Sequence, residues 1–365
     1  MSENTIAFIG LGLIGGSIAR GVKRVRPDTR ILAYSRTRSR LEQALADGNI
    51  DVILDRIGEE LRSCDMIFLC TPVEYNAGYL EAVKPYLKPG CILTDVGSTK
   101  TSIHEEVSRL NLEDFFIGGH PMAGSEKTGY ENSTDHLLEN AYYVITPTPK
   151  SSEENVQALT RLAADIGALP IRLDYRRHDY VVAAVSHLPH VIASSLVNLV
   201  RDADSEEEIM KRVAAGGFKD ITRIASASPV MWEQICMTNA ENIAVLLERY
   251  IGSLQSILQD LRGENKEPIR RLFSESREYR NSISDKGRGP IEREYSFYLD
   301  IVDEPGAIST IAVILSAKGI NISNIGIIHS REYEEGVLKI VFYDEASMQE
   351  AWQLLSKHNY ILYER

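Results

Sequence analysis

Three glycines near the start of the chain have the spacing that a bound pyrophosphate requires. Gly10-Leu-Gly12-Leu-Ile-Gly15 follows an apolar run at residues 6–10 and opens a helical pattern. In such a turn the first glycine permits the tight bend and the second lets backbone approach the diphosphate. The third lets the helix pack close to the strand, and the helix N-terminus faces the anion. Glycine-rich turns are common on their own; the position between strand and helix is what points to a dinucleotide. An acidic residue at the end of the second strand would hold the ribose hydroxyls of NAD. Here that place reads Tyr34-Ser35-Arg36. Ser35 and Arg36 suit a 2′-phosphate, which leaves NADP open beside NAD, and a solvated basic helix start is the plainer alternative. Thr71-Pro72 closes another strand at the edge where the nicotinamide half is expected.

Four further segments fall where a substrate beside the nicotinamide would be met. They are DVGSTK at 95–100, GGHPMAGSEKTG at 118–129, SHLPH at 186–190 and GGFKDITR at 216–223. Each has a plain structural alternative. A histidine after two glycines, as at His120, is commonly a turn residue, and His190 fits a satisfied core histidine. Asp220 and Arg223 could form an ordinary i,i+3 surface pair, although small apolar neighbours argue against their exposure. Asp95 suits a structural cap as well as a site residue. Lys100 and Lys127 read as solvated or phosphate-steering, and Trp232 as a dimer contact or as core packing.

The elements that must position these residues follow from the apolar pattern. Over residues 5–174 short apolar runs alternate with amphipathic stretches, which implies a doubly wound parallel sheet, a Rossmann-like α/β fold. From 175 to 281 the pattern becomes long, apolar and helical, with no strand signal. That predicts an all-helical domain whose apolar surplus suits helices shared with a second subunit, hence a homodimer. A Gly-, Pro- and charge-rich stretch, residues 282–294, marks a linker. Residues 295–365 read strand, helix, strand, strand, helix, strand: the ferredoxin-like βαββαβ plan. The domains expected are therefore 1–174, 175–281 and 295–365, and 365 residues exceed what one core usually serves.

Composition narrows the partners. A net charge of −12 argues against nucleic acid, since nothing would neutralise phosphates along a groove. An acidic enzyme that takes an anionic substrate must concentrate positive charge locally. Cys64, Cys70, Cys91 and Cys236 form no CxxC pair, so they read as buried free thiols of a reducing compartment, and no metal site is expected. No basic region followed by a long apolar stretch opens the chain and no uninterrupted membrane-length apolar window is read, so a cytoplasmic location without membrane contact is the expectation.

The motifs GLGLIGGS, TDVGSTK, GGHPMAGSEKTG, SHLPH and GGFKDITRIA occur in an order that resembles the prephenate dehydrogenases of tyrosine biosynthesis, in the bacterial form with a C-terminal ACT domain. Residue patterning alone reaches only a dehydrogenase. The resemblance covers essentially the whole chain. It implies oxidative decarboxylation of prephenate to 4-hydroxyphenylpyruvate with reduction of NAD or NADP. It assigns His120 to accept the ring-hydroxyl proton and Ser98 to orient that hydroxyl. A neutral imidazole suits such proton transfer near pH 7. Arg223 would clamp a substrate carboxylate, with Asp220 steadying or gating it and Glu126 joining the ionic group. Ser186 and His190 would line the pocket on a helix that Pro189 kinks toward the cleft, and His187 would be structural.

At the C-terminal end, Asp303-Glu-Pro305-Gly306 and Gly319-Ile-Asn321-Ile322 resemble the ACT domain. That implies an amino-acid ligand near Gly306, Asn321 and residues 325–328, tyrosine being the expected regulator. A domain kept only for dimerisation is the alternative. Rival readings of the whole are an arogenate dehydrogenase, a β-hydroxyacid dehydrogenase and a nucleotide- and tyrosine-sensing protein without catalysis. The His120 block disfavours the second, and the presence of His120, Ser98 and Arg223 together argues against the third.

Overall fold

The computed structural model describes residues 5–124, 127–283, 295–301, 304–328 and 336–363. Strand β1 (Thr5–Ile9) pairs in parallel with β2 (Arg30–Tyr34) and, on its other side, with β4 (Met66–Leu69). The short β3 (Val52–Ile53) and β5 (Ile92–Asp95) complete a five-stranded sheet in the order β3-β2-β1-β4-β5. Every residue of β1, β4 and β5 is buried. That is why these strands read as unbroken apolar runs: helices cover both faces. Phe8 stacks on Phe68 with ring centroids 5.0 Å apart in the core on one face. Ile9 and Leu69 belong to the core on the other. The chain reverses its direction of winding between β1 and β4, and the crevice at their C-terminal ends is the place for a ligand in such sheets.

Beyond β5 the expectation of an all-parallel sheet needs correction. Strands β6 (Ile117–Pro121), β7 (Tyr142–Pro147) and β8 (Leu169–Arg172) form a separate three-stranded sheet. Within it β6 and β7 run antiparallel, while β7 and β8 run parallel. The described residues between β6 and β7 hold only a short 3₁₀ turn at Tyr130–Asn132, not a crossover helix, so β7 returns against β6. A parallel bridge between Leu93 and Phe116 keeps β6 beside β5. His120 is thereby set close to the C-terminal end of the main sheet.

The helical region opens with a continuous helix from Tyr175 to Ala203. It is α-helical over Tyr175–Val182, π-helical over Ala183–His187 and α-helical again over Leu188–Ala203. Pro189 has no N–H to donate one turn back, and the ladder widens in the turn before it. The expected irregularity is thus a π-turn at residues 183–187. By length and mean hydropathy this helix is apolar enough to cross a membrane, although Ser186, His187 and His190 interrupt its apolar run, and it is largely exposed in the single chain. Further helices follow at Gly216–Thr222, Pro229–Thr238, Ala240–Arg262 and Lys266–Ser282. Leu199, Leu254, Leu258 and Leu261 point outward from these helices.

Contacts divide the chain into two compact units, Met1–Gly287 and Arg288–Arg365. In the second, β9 (Tyr295–Ile301), β10 (Ile322–Ile328), β11 (Gly336–Phe342) and β12 (Leu362–Tyr363) form an antiparallel sheet in the order β10-β11-β9-β12. Helices Ala307–Ser316 and Glu345–Lys357 supply Ile311, Leu315, Ala351 and Leu355 to its core. The element order is βαββαβ.

Candidate active site

The glycine turn has the shape its sequence calls for. Gly10 has φ 93°, and a Cβ there would lie 2.6 Å from the Cys70 carbonyl oxygen. A Cβ on Gly15 would meet the Gly10 carbonyl oxygen at 2.7 Å, so the helix Leu13–Val25 can start this close to the strand only as glycine. Gly12 caps that helix and has open space where its Cβ would stand. No acidic side chain occupies the first turn, and Lys23 and Arg24 lie in the last, the polarity an anion at the N-terminus needs. The open backbone at Gly12 fits a pyrophosphate.

The rim of this cleft is more committed than its sequence suggests. The Arg36 guanidinium is exposed and lies 4.6 Å from the centre of the Tyr75 ring, and hydrogen bonding to Tyr75 raises its pKa. Ser35 Oγ accepts from the Thr37 N–H at 3.3 Å, and Thr71 Oγ1 donates to Asn76 Oδ1 at 3.1 Å.

Near the end of β6, His120 is buried. Both preceding glycines are required by packing. A Cβ at 118 would lie 2.3 Å from Thr146 Oγ1, and one at 119 would lie 2.6 Å from the Asp95 carbonyl oxygen. His120 Nδ1 sits 2.8 Å from His178 Nε2, and His178 Nδ1 sits 2.8 Å from Asp179 Oδ1. The Asp179 carboxylate also accepts the backbone N–H of Lys100 at 2.8 Å and of Thr101 at 2.7 Å. Burial alone would raise the Asp179 carboxyl, but the hydrogen bonds from His178, Thr101 and Lys100 hold it below the usual carboxylate range. Burial, with His178 and Lys100 close by, pushes the His120 imidazole well below its ordinary value, so the ring is neutral.

A second buried carboxylate holds the backbone of the same loop. Lys100 Nζ pairs with Asp95 Oδ2, and both side chains are fully buried. Asp95 also accepts the Gly97 N–H at 2.8 Å and the Gly119 N–H at 3.2 Å. Lys100 is therefore neither solvated nor phosphate-steering, and the reading of it as surface is corrected. Burial pushes its ammonium pKa down, with Asp95 opposing. Ser98 is half-buried two residues earlier in this loop.

On the long helix, the His190 ring lies over Trp232 with centroids 3.7 Å apart, and its Nδ1 donates to the Ser186 carbonyl oxygen at 2.9 Å. Burial lowers the His190 pKa, and the nearby Arg223 charge lowers it further. Ser186 is half-buried. His187 is buried beside Asn239, whose Nδ2 is 3.1 Å from His187 Nδ1 and 2.8 Å from the Asp179 carbonyl oxygen. Arg223 and Asp220 are both exposed, which corrects the expectation that small apolar neighbours shelter them. Ile221 between them is 58% exposed in the single chain, while Phe218, Ile224 and Ala225 are half-buried. Glu126 lies outside the described residues, and so does Asp303 of the C-terminal loop.

The structure thus gathers His120 with His178, Asp179 and Lys100, and places His190 with Trp232 and near Arg223. The sequence reading missed His178, Asp179 and the role of Asp95. A signal was available: His178 and Val182 are one turn apart and both buried, so the Arg-Arg-His-Asp start of the helix turns one face inward.

Comparison with known proteins supplies the family. Residues 18–171 match the family described as prephenate dehydrogenase, nucleotide-binding domain, and residues 174–275 the prephenate dehydrogenase dimerization domain. The chain is 36% identical over 355 residues to a prephenate dehydrogenase of Bacillus subtilis, covering 97% of this chain and 96% of that one. It is 33% identical to one from Lactococcus lactis, covering 96% and 97%. Among solved structures, prephenate dehydrogenase from A. aeolicus in complex with hydroxyphenyl propionate and NAD+ superposes with a TM-score of 0.73 at 30% identity. That match covers 78% of this chain and 99% of that one. A Synechocystis arogenate dehydrogenase gives 0.69 at 29%, covering 77% and 100%. This chain belongs to the prephenate dehydrogenase family, with a Rossmann-like nucleotide-binding sheet followed by a helical dimerization domain.

Proposed function

We propose that the chain oxidises and decarboxylates prephenate to 4-hydroxyphenylpyruvate and carbon dioxide, with NAD as the hydride acceptor. The observation that carries the reading is His120: a neutral, buried imidazole near the C-terminal edge of the sheet whose glycine turn fits a pyrophosphate. A dinucleotide held by its pyrophosphate at the glycine turn would supply a nicotinamide as acceptor for the hydride on the carbon that bears the ring hydroxyl. His120 accepts the hydroxyl proton as that carbon becomes a carbonyl. Loss of carbon dioxide makes the ring aromatic and leaves a phenolate oxygen, to which His120 returns the proton. Ser98 orients the hydroxyl, Arg223 holds a carboxylate, and Ser186 and His190 line the pocket, with the His190 ring fixed against Trp232. Asp220 and Glu126 complete the ionic group around Arg223. Gly10, Gly12 and Gly15 hold the pyrophosphate, and Ser35, Arg36 and Thr71 lie along the rest of the nucleotide.

The working protein is a homodimer. Exposed Leu199, Leu254, Leu258 and Leu261 on the helical domain favour this, and so does the exposure of Arg223 in a single chain. The apolar helix Tyr175–Ala203 falls within the matched dimerization domain, which favours a subunit contact over a membrane span and agrees with a cytoplasmic location. The C-terminal unit is an ACT domain that binds tyrosine and lowers activity. Its element order supports this, as does Gly306, whose φ of 100° at the start of a helix leaves backbone open to a ligand. Asn321, exposed before β10, is the first side chain to test there.

The deciding experiment follows absorbance of the reduced nicotinamide with prephenate or arogenate, each with NAD or NADP. Turnover is expected with prephenate and NAD. No reduction in any combination would overturn the reading, and turnover with arogenate alone would reassign the substrate. Titration of tyrosine into the full-length enzyme tests the regulatory part, and no binding and no inhibition would remove it.

A further inference from the structure

The hydrogen bonds around His120 have a direction that its own position does not reveal. Asp179 is fully buried and already accepts two backbone N–H groups. An ionised carboxylate only accepts, so His178 Nδ1 must carry the proton in their 2.8 Å contact. With that one proton on its ring, His178 has a bare Nε2, which accepts. Its 2.8 Å partner, His120 Nδ1, must therefore be the protonated nitrogen. The lone pair on His120 Nε2 is left for a substrate proton. Were Asp179 absent, His178 could carry its proton on Nε2 and donate to His120 Nδ1, which would protonate His120 on the wrong nitrogen.

We propose that His178 and Asp179 are positioning residues that hold His120 in the Nδ1–H tautomer and relay the proton it takes. This rests on His120 being the proton acceptor of the proposed reaction. As the substrate O–H bond breaks, an N–H bond forms at His120 Nε2. The proton on His120 Nδ1 passes to His178 Nε2, so the positive charge comes to rest on the ring beside the Asp179 carboxylate. When the phenolate forms, both transfers reverse, and no proton is gained or lost. The relay answers an energetic difficulty. His120 is buried, and Lys100 lies close enough to disfavour a charge there. One ring further on, the charge has a carboxylate partner in a water-poor site.

The test uses the full-length enzyme labelled with ¹⁵N-histidine, with the His120 signals assigned by loss in His120→Asn. Long-range ¹H–¹⁵N spectra should show His120 protonated at Nδ1 and bare at Nε2. In Asp179→Asn and in His178→Phe that preference should be lost. In both variants kcat should fall on the order of 10²-fold, while KM for prephenate and NAD holds. A native His120 protonated at Nε2 overturns the proposal, and so does a tautomer and kcat unchanged in both variants. The spectrum needs no turnover. If His120→Asn kept full activity, the acceptor assignment would fail whatever the spectrum showed. If a variant failed to fold, the native spectrum would still decide.

Discussion

Replacing Lys100 by methionine tests whether the buried pair beneath the catalytic loop matters as the geometry implies. Lys100 and Asp95 have no exposed side-chain surface. Methionine fills most of the lysine stem but removes the ammonium. Asp95 keeps the N–H groups of Gly97 and Gly119, yet loses the Lys100 ammonium. Removing one member of a buried ion pair costs about 3–5 kcal/mol, because the other charge stays behind uncompensated. For a domain of this size each kcal/mol shifts the melting midpoint by roughly 2–4 °C. A fall of about 6–20 °C is expected, read by circular dichroism at fixed protein concentration without nucleotide. The double variant Lys100→Met with Asp95→Asn should recover part of the loss, since no unpaired charge stays buried, although its one amide oxygen can accept only one of the two N–H groups. A single variant within about 1 kcal/mol of native would refute the reasoning. A double variant worse than the sum of its parts would do so too.

Three other outcomes follow from the same geometry. His120→Asn should lower kcat by about 10²–10⁴-fold with little change in KM, and normal turnover would remove His120 from the mechanism. Arg223→Ala should raise KM for prephenate at least roughly tenfold, the loss of one charge-assisted contact, and an unchanged KM would place the carboxylate clamp elsewhere. Burial lowers His104 to about 3 and His187 to about 4. Both folded values lie below the unfolded value, so their stabilisation is complete above about pH 6.5 and is lost as pH falls toward those values. The pair should contribute a slope of up to about 2.7 kcal/mol per pH unit between pH 6.5 and 5. Urea midpoints at pH 7, 6 and 5 measure it, and His187→Asn should lower the slope by up to about 1.4 kcal/mol per pH unit; a flat profile contradicts the assignment.

Glycine was the most informative residue in the sequence. At 10, 15, 118 and 119 a Cβ would collide with backbone or with a buried side chain, so the requirement was written into residue type. Strands buried on both faces were equally legible as apolar runs. Lys100 was misread because lysine is rarely buried, and its partner depends on how loop 96–99 folds back. His178 lies 58 residues from His120, a pairing no local pattern encodes. The antiparallel β7 escaped notice because an apolar run does not carry its direction. Arg223 and Asp220 were misplaced for a related reason: small apolar neighbours signal a covered surface without saying whether this chain or another covers it.

Lys100 also explains why a charge is buried at such cost. Its ammonium pairs with Asp95, which accepts the Gly119 N–H, so it steadies the backbone immediately before His120. Its own backbone N–H binds Asp179, which reaches the His120 ring through His178. One residue therefore ties the main chain and the side chain of His120 by two separate routes. Proton transfer is steep in distance, and a displacement near 1 Å can cost about 10²-fold in rate. A methionine at 100 could fill the space, and the double variant could recover part of the stability. Neither would restore the charged tether at Asp95. The double variant should thus melt above Lys100→Met yet turn over no faster, which separates the positioning role of the pair from its contribution to folding.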